Sequence, residues 1–164
     1  MAIRLELATD VDRIGTLITA AFLGAPHTSG TEAAIVERLR EAGALTLSLV
    51  EEQNGRLVGH VAFSPVEITA TDERWFGLGP LAVEPEYRCR GIGGALVREG
   101  LRRLRTARAD GCVVLGDPSY YSRFGFLRNP CLHLANAPPE YVLCLSISGA
   151  EPVGFVKYHA AFGA

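Results

Sequence analysis

The stretch "GPLAVEPEYRCRGIGGAL", residues 79–96, decides the reading of this chain. Its first part continues a strand-like run, "WFGLGPLAVEP" (75–85), that Gly77, Gly79 and Pro80 interrupt. Glycine inside a strand marks a bulge or a close backbone approach, and proline cannot donate to a ladder. Two arginines, Arg88 and Arg90, then precede Gly91, Gly93 and Gly94, and a helix is predicted from about Gly91 to Ala107. Glycines at such a turn let the backbone approach a ligand closely or take positive φ. The helix start adds unpaired N–H donors and the positive end of a dipole. Strand, arginine-bearing glycine loop and helix start together suit an anion. Taken alone, the same residues also suit a helix start packed tightly on a sheet.

Two common nucleotide loops do not fit. A Walker A loop needs a lysine after its last glycine, and the only lysine here is Lys157. A dinucleotide fingerprint needs a third glycine where Leu96 stands, and it follows its strand directly, whereas "EPEYRCR" intervenes here. What remains is a loop whose successive N–H groups, from Cys89 to Gly94, wrap a pyrophosphate at a helix N-terminus, with charge added by Arg88 and Arg90.

On the N-terminal side, "AIRLELA" alternates as a strand, and Thr9 is the expected N-cap of a helix over about 10–23. "LGAPHTSG" (23–30) reads as a turn-rich loop, and "TEAAIVERLREAG" as a second helix closed by Gly43. "ALTLSLVEE" and "RLVGHVAFSPVEI" flank Asn54–Gly55, a hairpin signal, with a kink or strand end expected at Pro65. On the C-terminal side the helix after the loop should bury Gly94, Val97, Leu101 and Leu104, with Gly93, Leu96 and Gly100 beside them. "GCVVLG" reads as a buried strand. "DPSYYSRFGF" (117–126) opens with an Asp–Pro cap and makes one or two helical turns before Gly125. "YVLCLSI" and "VGFVKYH" read as strands of a late hairpin around "SGAEP". The order β, α, α, β, β, β, α, β, short α, β, β predicts an α/β (α+β) fold. Its mixed sheet should carry helices on its faces and a parallel pair on either side of the central helix.

With 164 residues the chain fits one domain over 1–164. No apolar run approaches the ~20 residues that span a bilayer, and "MAIRLELATD" lacks the apolar core of a signal peptide. A cytoplasmic protein is therefore expected, with no membrane partner. The four cysteines are widely spaced with no CxxC pair, so neither a disulfide framework nor a metal site is expected. Residues 1–87 hold 6 basic and 13 acidic side chains, residues 88–164 hold 10 and 5. The basic excess is nearly all arginine and concentrates between Arg88 and Arg108. The later arginines suit a solvated helix face. A nucleic-acid partner is not expected, because aromatics are not interleaved with them and the whole chain is acidic, at −2.

The R-x-x-G-x-G spacing of Arg88, Gly91 and Gly93, directly after "GPLAVEPEY", resembles the acetyl-CoA-binding motif of the GNAT superfamily of N-acetyltransferases. "GDPSYYSRFGF" resembles the last conserved stretch of that superfamily, a tyrosine four residues before Gly–Phe. "GPLAV", "RGIGGAL" and "LGDPSYYSRFGF" in this order resemble, more narrowly, its YhbS-like branch.

The resemblance covers about residues 76–127. It implies a mostly antiparallel sheet with a bulged, splayed central strand and helices on both faces. It implies that Leu81, Ala82 and Val83 bind the pantetheine arm of acetyl-CoA by their backbone. It further implies that Arg88, Cys89, Arg90, Gly91, Ile92, Gly93 and Gly94 hold the pyrophosphate, and that a free N–H near Val83 receives the carbonyl oxygen.

Tyr121 is then the residue that protonates the leaving thiolate, and neighbouring Tyr120, about 100° away on a helix, packs on the sheet. One departure is Val114, where many members have asparagine. The implied reaction is direct acetyl transfer to a primary amine on a small molecule or peptide. A non-catalytic CoA-binding module of the same fold is the other reading. No general base is singled out among Glu84, His60, Glu67, Asp72 and Glu73, and Cys89 sits in the wrong place for a nucleophile. The acceptor is expected between the 23–30 loop, the 69–75 loop and Tyr121. The late hairpin can serve as a homodimer contact.

Overall fold

The computed structural model of the protein describes residues 2–26 and 28–163; His27, in the 23–30 loop, lies outside them. The elements in chain order are β1 (Ile3–Leu5), α1 (Val11–Phe22), α2 (Glu32–Glu41), β2 (Leu47–Gln53), β3 (Arg56–Ile68), β4 (Trp75–Val83) and α3 (Ile92–Thr106). Then come β5 (Gly111–Leu115), α4 (Pro118–Tyr121), β6 (Leu127–Arg128), β7 (Leu132–Leu134), β8 (Val142–Ser146) and β9 (Gly154–Tyr158). Among these residues no helix is long and apolar enough to cross a membrane.

The strands form one mixed sheet in the order β1-β2-β3-β4-β5-β8-β6, with β9 beside β3 and β7 beside β9. Only β4–β5 and β7–β9 are parallel. The β2–β3 hairpin turns as expected on Asn54 and Gly55, both at positive φ (52° and 76°). α3 covers one face, burying Leu96, Val97, Leu101 and Leu104 in the same core as Phe63 and Leu78. Its close approach has a sequence cause: a β-carbon on Gly100 would sit 2.2 Å from the Phe63 ring. α1 covers the other face with Ile14, Leu17, Ile18 and Ala21, a single stripe at helical spacing. These pack over Val50, Ala62 and Ala82.

Four local expectations are corrected. Thr9 is not the cap of α1. It lies in a 3-10 turn, and the buried carboxylate of Asp10 accepts from the Leu7 N–H at 2.7 Å and from Arg4 at 2.7 Å. Pro65 neither kinks nor ends β3, which runs on to Ile68. It falls between the last β2 pair at Phe63 and the first β9 pair at Val66, so its missing N–H costs no ladder bond.

Gly94 is not on the buried stripe of α3. It is half-buried and lies towards Phe124, 3.7 Å from where its β-carbon would be. The two late strands do not form a hairpin: β8 pairs with β5 and β6, whereas β9 pairs with β3 and β7. The homodimer contact expected of that hairpin therefore has no hairpin to rest on. Finally, β6 and β7, of two and three residues, are additions that no sequence alternation marked.

Candidate active site

The site begins where two strands part. β4 and β5 pair from Trp75–Gly111 to Leu78–Val114 and no farther. Across β3, Val61 faces Leu81 and Phe63 faces Leu78, so β4 carries one extra residue at Gly79–Pro80. This is the expected bulge. Gly79 takes φ +136°, a conformation that disfavours any side chain. Beyond it β4 keeps only β3 as a neighbour. Because the Glu84 N–H donates to Val58 (2.9 Å), strand alternation points the polar groups of Ala82 toward β3. Those of Leu81 and Val83 then face the open side. The side chains of Leu81 and Val83 lean on the α3 core, while Ala82 is buried under α1.

The glycine loop follows a 3-10 turn at Pro85–Tyr87. Cys89 (φ 63°) and Gly91 (φ 80°) are both left-handed, with Gly91 the N-cap of α3. Such alternation turns successive N–H groups inward to form a concave anion nest. Arg90 is exposed, its guanidinium 5.0 Å from the Tyr87 ring. The Arg88 side chain turns elsewhere: its Nη2 donates to the Ala21 carbonyl at 2.5 Å. Ile92 gives its side chain to the core, leaving its backbone for the loop. Gly93 and Gly94 are half-buried, and a β-carbon on Gly93 would lie 3.6 Å from Val83. The loop and the open strand edge are therefore contiguous.

α4 supplies the two tyrosines. Asp117 caps it, accepting from the Ser119 N–H at 2.8 Å, and Gly125 ends the following 3-10 turn at φ 98°. The two rings stand at 88° to each other. Tyr120 sends its hydroxyl toward the start of α3, 3.0 Å from the β-carbon position of Gly93. Tyr121 lies over Gly116, whose missing side chain makes the room, since a β-carbon there would be 2.4 Å from the ring. Tyr121 borders a cavity of about 520 Å³ together with Leu78, Gly79, Pro80, Leu81 and Val114, and Tyr120 does not. Burial pushes the Tyr121 phenol well above its ordinary value, so it keeps its proton at neutral pH. A larger depression, about 670 Å³, lies between the outer surfaces of α1 and α2. It touches neither the glycine loop nor Tyr121.

The cavity continues through the splay to Phe22, at the end of α1, and to Glu32 and Ile35 of α2. Residues 134–137, Tyr158 and Phe162 close it; neither the 69–75 loop nor the described residues of the 23–30 loop, both expected as walls, line it. Glu32 and Tyr158 escaped the sequence reading. Tyr158 could not be found from local pattern, because the pairing of β9 with β3 brings it in. The five acid–base candidates are engaged elsewhere or exposed, and none lines the cavity. Glu84 binds Arg56 at 3.0 Å, Glu73 accepts from Trp75 at 2.9 Å, and Glu67 and Asp72 are exposed. His60 is fully buried with Nε2 2.8 Å from Ser48.

The model of the acetyltransferase (GNAT) family matches residues 13–126. The chain belongs to the GNAT acetyltransferase family. This GNAT acetyltransferase is 44% identical over 127 residues to the uncharacterised N-acetyltransferase YhbS of Escherichia coli strain K12, covering 77% of this chain and 73% of that protein. A GNAT family acetyltransferase from Brucella melitensis, solved in complex with acetyl-CoA, superposes with a TM-score of 0.88 at 46% identity, covering 98% of this chain and 97% of that one. Escherichia coli YhbS in complex with CoA gives 0.89 at 36% identity, covering 99% and 92%. This GNAT protein is thus an acyltransferase with the mixed, mostly antiparallel sheet of those structures.

Proposed function

We propose that this chain transfers an acetyl group from acetyl-CoA directly to a primary amine within a ternary complex. The observation that carries the reading is the splay of β4 from β5 beside Tyr121: it leaves an open strand edge, a cavity and a phenol at one place. The relatives bound to acetyl-CoA and CoA support the donor.

In this reading the backbone of Leu81 and Val83 pairs with the amides of the pantetheine arm as another strand would. The N–H groups from Cys89 to Gly94, with the charge of Arg90, hold the pyrophosphate; Arg88 contributes its backbone. A fixed N–H at Val83 stabilises the negative charge that develops on the thioester oxygen. Attack by the neutral amine forms the C–N bond and breaks the C–S bond. The leaving sulfur takes the Tyr121 proton. The proton shed by the amine goes to solvent through the open cavity, and Tyr121 regains one by the same route.

Calorimetry with acetyl-CoA, followed by thiol release with a panel of primary amines, tests the reading. Binding with amine-dependent thiol release supports it. Binding without release from any amine would make the chain a CoA-binding module instead.

A further inference from the structure

The acceptor end of the cavity has a distinct chemistry. Its walls, Phe22, Ile35, Leu134 and Phe162, are apolar, and among its described lining residues Glu32 alone is charged. The Glu32 carboxylate is built in. Its Oε1 accepts from Thr28 Oγ1 at 2.6 Å and from the Ser29 N–H at 3.1 Å. Oε2 has no partner among the described residues. Burial alone would raise this carboxyl, but those hydrogen bonds bring it below its ordinary value. It is a better counter-ion than proton acceptor at neutral pH.

The second feature is Tyr158. Its ring is packed over Gly77, where a β-carbon would lie 2.5 Å away, and meets the Phe162 ring at a tilt of 59°. Tyr158 lines the same cavity, and its hydroxyl is buried without a hydrogen-bond partner among the described residues. A buried hydroxyl left unpaired is costly, and a polar group brought in by a ligand removes that cost.

We infer that the acceptor is a monoamine on a compact apolar body, without a carboxylate, recognised through Glu32 and Tyr158. The inference rests on the transferase reading above. The ammonium form is drawn to Glu32, and the apolar body fills the space between α1, α2 and the 134–137 segment. An amino acid would bring its own carboxylate into a cavity whose described lining holds an anion and no cation, a like-charge juxtaposition that opposes binding. A polyamine would place further charges against apolar walls. The step balances: the ammonium releases one proton to solvent, the neutral nitrogen bonds to the acetyl carbon as the C–S bond breaks, the thiolate takes the Tyr121 proton, and the second proton shed by the nitrogen restores the phenol.

The test is thiol release from acetyl-CoA with phenethylamine, phenylalanine and spermidine. The wild-type protein should favour phenethylamine over each of the others by about tenfold or more in kcat/KM, the equivalent of one lost charge interaction. Glu32→Gln should raise the KM for phenethylamine by roughly tenfold and narrow its lead over phenylalanine. Tyr158→Phe should raise that KM by about threefold or more. Both should leave acetyl-CoA binding, measured by calorimetry, unchanged. Turnover of phenylalanine or spermidine as good as that of phenethylamine overturns the inference and leaves the transferase reading standing. So does a Glu32→Gln protein with unaltered selectivity. Absence of thiol release with every acceptor overturns both. The wild-type comparison stands by itself even where a variant fails to fold.

Discussion

Arg88, the first residue of the glycine-loop motif, holds the end of α1: its Nη2 donates to the carbonyl of Ala21 at 2.5 Å. Ala21 precedes Phe22, a wall of the acceptor cavity. One side chain therefore ties the loop read as the phosphate cradle to the helix that shapes the acceptor side. Arg88→Ala should lower the thermal midpoint by the loss of one charge-assisted hydrogen bond, about 1.5–3 kcal/mol. The acetyl-CoA Kd should stay within about threefold, because the loop binds through its backbone. An unchanged midpoint with a Kd raised about tenfold would instead put this guanidinium on phosphate.

Gly91 is left-handed at the N-cap of α3, with open space where a β-carbon would go. Gly91→Ala therefore costs through backbone conformation alone, roughly 1–2 kcal/mol. The strain falls on the loop, so weaker acetyl-CoA binding is expected by calorimetry, by about tenfold. Unaltered binding would show that the left-handed turn is not part of the cradle.

Tyr121 and Tyr120 are adjacent, yet only Tyr121 borders the cavity. Tyr121→Phe should lower kcat by about a hundredfold, the low end for removal of a general acid, with acetyl-CoA affinity retained. Tyr120→Phe should leave kcat within about threefold of the wild type. Equal rates for wild type and Tyr121→Phe with a good acceptor would remove the phenol from the chemistry.

His60 lies beneath α1, away from the cavity, and burial holds it down to about 4 from 6.5. The folded protein keeps it neutral while the unfolded chain takes up a proton below pH 6.5. Stability should therefore fall as pH drops from 6.5 toward 4. Scanning calorimetry across that window should show a shallower slope for His60→Gln. Glu6, which accepts a hydrogen bond from Ser48 and pairs with Arg40, is also held below its ordinary value of 4.5, and its contribution is lost lower still.

The residues that position the donor side were legible in the sequence because each acts locally. Gly79 and Pro80 produce the bulge, Gly91 the left-handed cap, and Asp117–Pro118 the turn that presents Tyr121. The acceptor side was not, because it is assembled by long-range pairing. Nothing in "VGFVKYH" says that Tyr158 will lie against Val66 rather than against β8. Glu32 carries no local mark of a site, and only the fold brings it to the same cavity as Tyr121. Pro65 misled for the same reason, since its cost depends on which neighbour its missing N–H would have met.

The central claim is direct transfer from acetyl-CoA to an amine held beside Tyr121. Initial-velocity kinetics of thiol release, with acetyl-CoA and phenethylamine both varied, test it most directly. Reciprocal plots should intersect, as a ternary complex requires. Parallel plots with an isolable acetylated protein would contradict it, because they would place a covalent acetyl-enzyme between the two substrates.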